Sequence, residues 1–366
     1  MIILGAGPSG LAVGACLRGR GVPFTILEQA DSVGSRWRRH YERLHLHTVK
    51  QLSSLPGQPW PDEVPLYPSR AEVVDYLETY ARRFRLAPRL GVTVTRARRG
   101  EEGWEVSTSA GDFHGRALVV ATGYNRTPKL PDFPGRERFR GAFLHAGDYR
   151  SGGAYRGKRV LVVGAGNTGG EIALDLWESG ATVAISARSP VHVIPRDALG
   201  IPAQVNSVFL LGRLPPTVAD RIAVPLMARL VGDLAPFGLR RPTKGPVSQV
   251  VEDGKIPLLD IGTIALVKQG KIAVHPGPRE LTETSVVFTD GREEPFDAVI
   301  CATGYRPALD GFLENAERHV DARGYPTKHG VEAGEPGLFF IGYRNPLTGA
   351  LHDIAAEARR IARALS

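Results

Sequence analysis

A chain of 366 residues with 42% hydrophobic and 23% charged side chains has room for more than one core, and two domains are expected. The balance of 46 Lys and Arg against 38 Asp and Glu leaves +8, but the basic residues are scattered, mostly Arg and not interleaved with aromatics, so no nucleic-acid partner is expected. The two cysteines, Cys16 and Cys301, are too far apart for a CxxC pair, a disulfide framework or a zinc site, and no apolar run is long enough to span a bilayer.

In chain order, Met1 opens directly onto an apolar strand, Ile2-Ile3-Leu4, which leaves no room for a signal peptide and sets the expectation of a cytoplasmic protein. Gly5-Ala6-Gly7-Pro8-Ser9-Gly10 follows, then a helix to about Arg20 and a second strand, Phe24 to Glu28. In such a turn Gly5 permits the tight bend, Gly7 lets the backbone approach a pyrophosphate, and Gly10 lets helix and strand pack closely. The phosphates then sit on the helix N-terminus, where free N–H groups and the dipole favour anions. Glu28 ends the second strand where a carboxylate accepts from the adenosine ribose, with Gln29 beside it, so Gly5, Gly7, Pro8, Ser9, Gly10, Glu28 and Gln29 are the expected ligands of a first dinucleotide.

Ser69 to Phe84 has the periodicity of an amphipathic helix, Val92–Arg98 and Trp104–Ser109 that of a small antiparallel layer, and Ala117 to Thr122 is a buried strand running into Gly123. The opening grammar then repeats. Val160 to Val163 leads into Gly164-Ala165-Gly166-Asn167-Thr168-Gly169, a helix to about Glu178, and the strand Thr182 to Ser186. No carboxylate ends that strand; Ser186 and Arg188 supply a hydroxyl and a guanidinium, which suit the 2′-phosphate of NADPH, with Arg196 as an alternate. Gly164, Gly166, Asn167, Thr168, Gly169, Ser186 and Arg188 are therefore the expected second set. The stretch from Ala198 to Val250 fits neither unit, Asp297 to Thr303 repeats the buried strand before Gly304, and Gly337 to Gly342 and Leu351 to Leu365 read as a last strand and helix.

The fold class expected is α/β, with two Rossmann-like dinucleotide-binding domains, the NADPH domain inserted into the FAD domain: 1–154 and 304–366 for FAD, 155–303 for NADPH. FAD and NADPH are the cofactors, a small molecule the substrate, no metal is called for, and the oligomeric state is left open. Without a CxxC pair, electrons must leave the flavin for oxygen or another acceptor. A monooxygenase, a flavin reductase or oxidase, and a redox-sensing nucleotide-binding protein all fit these residues.

Phe139, Gly141, His145 and Tyr149 spell F-x-G-x-x-x-H-x-x-x-Y, and with it the chain resembles the flavin-containing monooxygenases. Arg43 to Gln51, Val191 to Arg196, Leu239 to Pro242, Leu259 to Gly262 and Ala302 to Arg306 are similar to landmarks of the YUCCA branch and its bacterial relatives. The resemblance implies that NADPH reduces FAD, that dioxygen adds at flavin carbon 4a, and that the substrate is a small organic molecule such as an indole-3-pyruvate-like 2-oxo acid, decarboxylated as it is oxygenated. Trp37 follows Gly34 at a spacing the family uses beside the flavin, with plain core burial as the alternative, and Gly342 and the helix opening near Leu351 are placed to aim N–H groups at the ring. Many members place an Asn after the first unit; none lies between Arg43 and Leu55 here, which leaves His47, Lys50 and Gln51 as candidate catalytic groups. His145 is read as tying down a loop, with contact to the nicotinamide as the alternative.

Overall fold

A computed structural model describes residues 1–198, 200–209, 211–346 and 348–366. Two parallel sheets organise it. The first has the order Thr25–Leu27, Ile2–Leu4, Leu118–Val120, Leu338–Phe340, and the second Ile272–His275, Thr182–Ser186, Arg159–Val163, Ala298–Cys301, Ala142–His145. Parallel strands are covered on both faces, which is why these segments are continuously apolar rather than alternating.

Register shows the period of two directly. Ile3 pairs with Ile26 and Val119, and Val119 with Phe339; these side chains share one core with the helices Pro8–Arg18, Arg70–Arg83 and Ala350–Ala364. Their neighbours Ile2, Leu4, Leu118, Val120, Leu338 and Phe340 point the other way, onto Trp104 and Val106 of a three-stranded antiparallel sheet. The second unit repeats the sandwich. Val160, Val162 and Ile300 face the helix Asn167–Glu178, while Leu161, Val163 and Val299 face Val286 and Phe288 of another antiparallel sheet.

The expected elements form with small boundary shifts. Ser69 caps the helix Arg70–Arg83 in a capping box with Glu72, so the helix begins one residue later than expected. The antiparallel layer gains a third strand, Gly111–Gly115, whose polar residues carry no strand signal. Within 198–250 the described helices include Ala203–Phe209, Pro216–Val231 and Pro246–Asp253. Among the described residues no helix is long and apolar enough to cross a membrane.

Ala142–His145 lies before residue 155 in sequence yet forms the edge of the second sheet, and the signature residues fasten it there. A Cβ on Gly141 would come within 2.6 Å of the Phe139 ring and 2.7 Å of the Asp297 carbonyl, so only glycine fits between them. His145 is buried; its Nδ1 accepts from the Gly147 N–H (3.0 Å), which leaves the proton on Nε2 to be donated to the Gly304 carbonyl (3.0 Å). Burial pushes its imidazole below the ordinary pKa, which keeps it neutral in that role. Tyr149 donates to Asp175 Oδ2 (2.6 Å), which also accepts from the Gly152 N–H (3.1 Å), tying the loop to the helix Asn167–Glu178.

Tyr149→Phe removes the hydroxyl donor from a carboxylate that is left with Gly152 alone. It is expected to cost on the order of 1.5–3 kcal/mol, read as a lower urea midpoint with an unchanged slope. An unchanged midpoint would show that the loop is held without this bond.

Candidate active site

The two glycine turns are near copies in three dimensions. Gly5 has φ +104° and Gly164 +118°, a left-handed conformation natural to glycine, and a Cβ on either would press on a carbonyl, Ala121 at 2.7 Å or Ala302 at 2.6 Å. Gly10 and Gly169 lie so close to the carbonyls of Gly5 and Gly164 that a side chain would collide with them. Gly7 and Gly166 differ: a Cβ there would meet nothing within 4 Å. Each begins a helix, Pro8–Arg18 or Asn167–Glu178, without a side-chain cap. The open space over each uncapped N-terminus is a cradle that suits a pyrophosphate and that a side chain would fill.

Glu28 is buried at the end of its strand, where its carboxylate accepts from Ala6 N–H (2.7 Å) and Ala30 N–H (3.0 Å). A carboxylate offers about four acceptor positions, so capacity remains for a ribose hydroxyl. Gln29 is exposed beside it, Pro8 opens the helix, and Ser9 is buried against Gly342, whose Cβ would strike the Ser9 hydroxyl. Trp37 is half-buried against the first core, 5.8 Å from His40 and edge-on to it.

In the second unit Asn167 Oδ1 accepts from Leu259 N–H (2.6 Å) and so braces the strand Leu258–Asp260, while Thr168 is half-buried in the same first turn. Ser186 corrects an expectation: it is buried, and its hydroxyl donates to the Pro276 carbonyl (2.7 Å), so no O–H remains for a 2′-phosphate. Arg188 is exposed just past the strand, with its stem beside Gly277. Arg196 is placed elsewhere. Its Nε donates to Asp197 (3.0 Å) and its guanidinium lies 3.9 Å from the Tyr67 ring centroid.

The three candidate catalytic groups separate. His47 reaches the other unit, where its Nε2 pairs with Glu171, a buried carboxylate on the helix Asn167–Glu178. Burial first, and then Glu171, hold the neighbouring Tyr41 phenol well above its ordinary pKa. Lys50 Nζ donates to the carbonyls of Pro61 (3.0 Å), Asp62 (2.8 Å) and Val64 (2.5 Å), so all three of its donors close a loop. Gln51 is exposed in the short turn Lys50–Leu52. Gly342 is likewise engaged: its N–H donates to Glu357 (3.0 Å) on the last helix rather than standing free for a flavin ring.

Several residues at the junction had no sequence signal. Gln204, buried in the helix Ala203–Phe209, accepts from Val49 N–H (2.8 Å) and donates to Thr348 O (2.6 Å), pinning the segment next to His47 and a turn before the last helix. Arg36 lies 4.5 Å from the Tyr305 ring centroid, both in the first unit. With Arg150 and Arg70 it makes this side of the junction electropositive, and burial and these cations push the His40 imidazole down to about 4. A cleft of about 590 Å³ opens where the units meet, with Leu46, His47, Tyr67, Glu171, Arg196 and Ile261 in its wall.

Two phosphate cradles of one build, one beside a strand ending in a carboxylate and the other beside an exposed guanidinium, define a flavoprotein oxidoreductase that takes a second dinucleotide. The family model described as flavin-binding monooxygenase-like matches residues 1–365, and the chain belongs to that family. It is an FAD- and NADPH-dependent monooxygenase. The chain is 42% identical over 373 residues to a rice (Oryza sativa subsp. japonica) protein named indole-3-pyruvate monooxygenase YUCCA1, covering 98% of this chain and 90% of that one. It superposes on a flavin-containing monooxygenase from Stenotrophomonas maltophilia with a TM-score of 0.72 at 24% identity, over 100% of this chain and 98% of the other. A bacillithiol disulfide reductase from Bacillus cereus gives the same TM-score, 0.72, at 21% identity over 100% and 97% of the two chains, so this architecture is shared across different chemistries.

Gly7→Val puts a side chain into the open cradle, where its Cβ meets no protein atom within 4 Å, and is expected to give a folded protein that has lost its yellow flavin absorbance. Gly10→Val drives a side chain into the Gly5 carbonyl and is expected to unfold or fail to accumulate. A folded Gly7→Val variant with full flavin content, measured by absorbance against protein concentration, would place FAD elsewhere.

Proposed function

We propose that this monooxygenase acts on a small 2-oxo acid of the indole-3-pyruvate type. The 2-oxo acid, dioxygen, NADPH and a proton become the carboxylic acid one carbon shorter, carbon dioxide, NADP+ and water; one oxygen atom enters the product and the other leaves as water. The observation that carries this reading is the near-full-length likeness to a relative named for that substrate. Bound FAD supplies the chemistry, accepting a hydride from NADPH and activating dioxygen.

The chain's own residues bind and position. Gly7 and Gly166 open their backbones to the two pyrophosphates at the helix N-termini, and Glu28 accepts from the FAD ribose. Arg188 meets the 2′-phosphate of NADPH, free of Ser186 as a partner donor. His47 and Glu171 join the units beside the cleft, and Gln204 holds the neighbouring segment in place. Lys50 supports this from behind by closing its loop. In the division that fits this reading, 1–154 and 304–366 hold FAD and 155–303 holds NADPH, with the strand Ala142–His145 serving the second unit's sheet. The enzyme works in the cytoplasm on its small substrate and dioxygen, without a nucleic-acid partner.

Purified enzyme given NADPH and indole-3-pyruvate is expected to release carbon dioxide and form indole-3-acetate, identified by mass. Hydrogen peroxide in step with NADPH consumption, without oxygenated product from 2-oxo acids, amines or sulfides, would establish an oxidase instead; a flavin that NADPH does not bleach would leave a sensor.

Arg188→Ala removes a charge-assisted contact of on the order of 1.5–3 kcal/mol. It is expected to lower kcat/KM for NADPH roughly tenfold or more while barely changing that for NADH. Equal losses with both cofactors would return Arg188 to a role in the fold.

A further inference from the structure

The cleft at the junction is lined by both apolar and charged side chains. Leu46 and Leu66 of the first unit and Ile261 of the second supply apolar lining. Arg196 shares that lining and is held by two contacts: Nε donates to Asp197 (3.0 Å), and the guanidinium carbon lies 3.9 Å from the Tyr67 ring centroid. The Tyr67 hydroxyl donates to the other oxygen of the same Asp197 carboxylate, so arginine, aromatic ring and carboxylate brace one another. Arg196 thus has two side-chain hydrogen-bond partners, Asp197 through Nε and the Tyr67 phenol.

The other charges around this cleft are already spoken for. Arg43 is paired in bidentate fashion with Glu178 (3.0 and 2.9 Å), and His47 with Glu171. A guanidinium carries five donors, and Asp197 and Tyr67 do not use all of them, so Arg196 keeps part of a fork that matches a carboxylate. A volume of about 590 Å³ is in the range of small-molecule pockets, and apolar lining with an oriented polar group is how such pockets fix a ligand's direction.

We propose that this cleft is the substrate pocket, in which Arg196 takes the carboxylate of an aryl or alkyl 2-oxo acid and Leu46, Leu66 and Ile261 take its side chain. The assignment rests on the 2-oxo acid reading of the function and adds the residue that recognises the acid group. Asp197 and Tyr67 are positioning residues: they hold the guanidinium in place and orient its remaining donors. Discrimination then follows from charge, because a neutral amide or ester in the same place gives the guanidinium no anion beyond Asp197.

The test uses the FAD-loaded enzyme. Arg196→Ala is expected to raise KM for indole-3-pyruvate on the order of tenfold to a hundredfold, with KM for NADPH, flavin content and the rate of flavin reduction unchanged. Arg196→Lys, which keeps the charge but loses the fork, should fall between. Ile261→Trp fills the apolar side and should raise the same KM without altering charge, which keeps the test open if the Arg196 variants fold poorly. As a readout independent of turnover, calorimetry with indole-3-propionate and its amide should show the acid bound more tightly by the wild type and the preference lost in Arg196→Ala. Arg196-dependent binding of the acid together with no product from any 2-oxo acid would leave the pocket standing and remove the proposed reaction. Normal turnover with an unchanged KM in Arg196→Ala and Ile261→Trp, or a rise confined to NADPH, would overturn the pocket and leave the reaction intact.

Discussion

The chain depends on a contact made twice, in which the first turn of a helix lies against the end of the preceding strand with no side chain between them. Gly10 over the Gly5 carbonyl and Gly169 over the Gly164 carbonyl leave no room for a β-carbon. That closeness aims each helix N-terminus across the carboxyl end of its sheet, where the positive end of the dipole meets an anion. The glycine beside each contact, Gly7 or Gly166, is empty for the opposite reason. Its missing side chain is space held for a ligand rather than space taken by protein.

A second constraint is that two such units must face each other. The junction carries several polar contacts: His47 with Glu171, Arg43 with Glu178, and Gln204 bridging Val49 and Thr348. Polar contacts of this kind fix direction and register more than they add stability, since desolvation offsets much of their attraction. An interface that has to admit a nicotinamide, dioxygen and a substrate is suited by that balance; an apolar seam would close it.

Much of this architecture was legible because it is local. Strand, glycine turn, helix and strand follow one another within about 30 residues, and each part has its own periodicity. What escaped notice depends on partners distant in sequence. Ala142–His145 looks like any short apolar strand until Ala298–Cys301 pairs with it. Lys50 and Gln51 read as equivalent polar residues on a loop, but the carbonyls of Pro61, Asp62 and Val64 happen to surround one of them. Ser186 sits where a cofactor-binding hydroxyl belongs, and only the return of Pro276 to its side takes up its proton. Gln204 lies in a stretch that matches neither unit, and nothing in its neighbours announces that it reaches residues 155 positions upstream. The same long reach governs the signature: Phe139, Gly141, His145 and Tyr149 share a spacing, but the reason for it lies with Asp297, Gly304 and Asp175.

The last strand of the first sheet, Leu338–Phe340, joins Leu118–Val120 only after the whole second unit has intervened. On a ribosome adding roughly 5–20 residues per second, the first sheet would wait on the order of ten seconds or more with three strands made and an apolar edge open. All five strands of the second sheet are synthesised before that edge is covered. Ordered synthesis thus lets the later unit complete its core first, and the earlier one closes around a neighbour that already exists. A chaperone that shields Leu118–Val120 during that interval would protect the yield of active enzyme without touching the folded state.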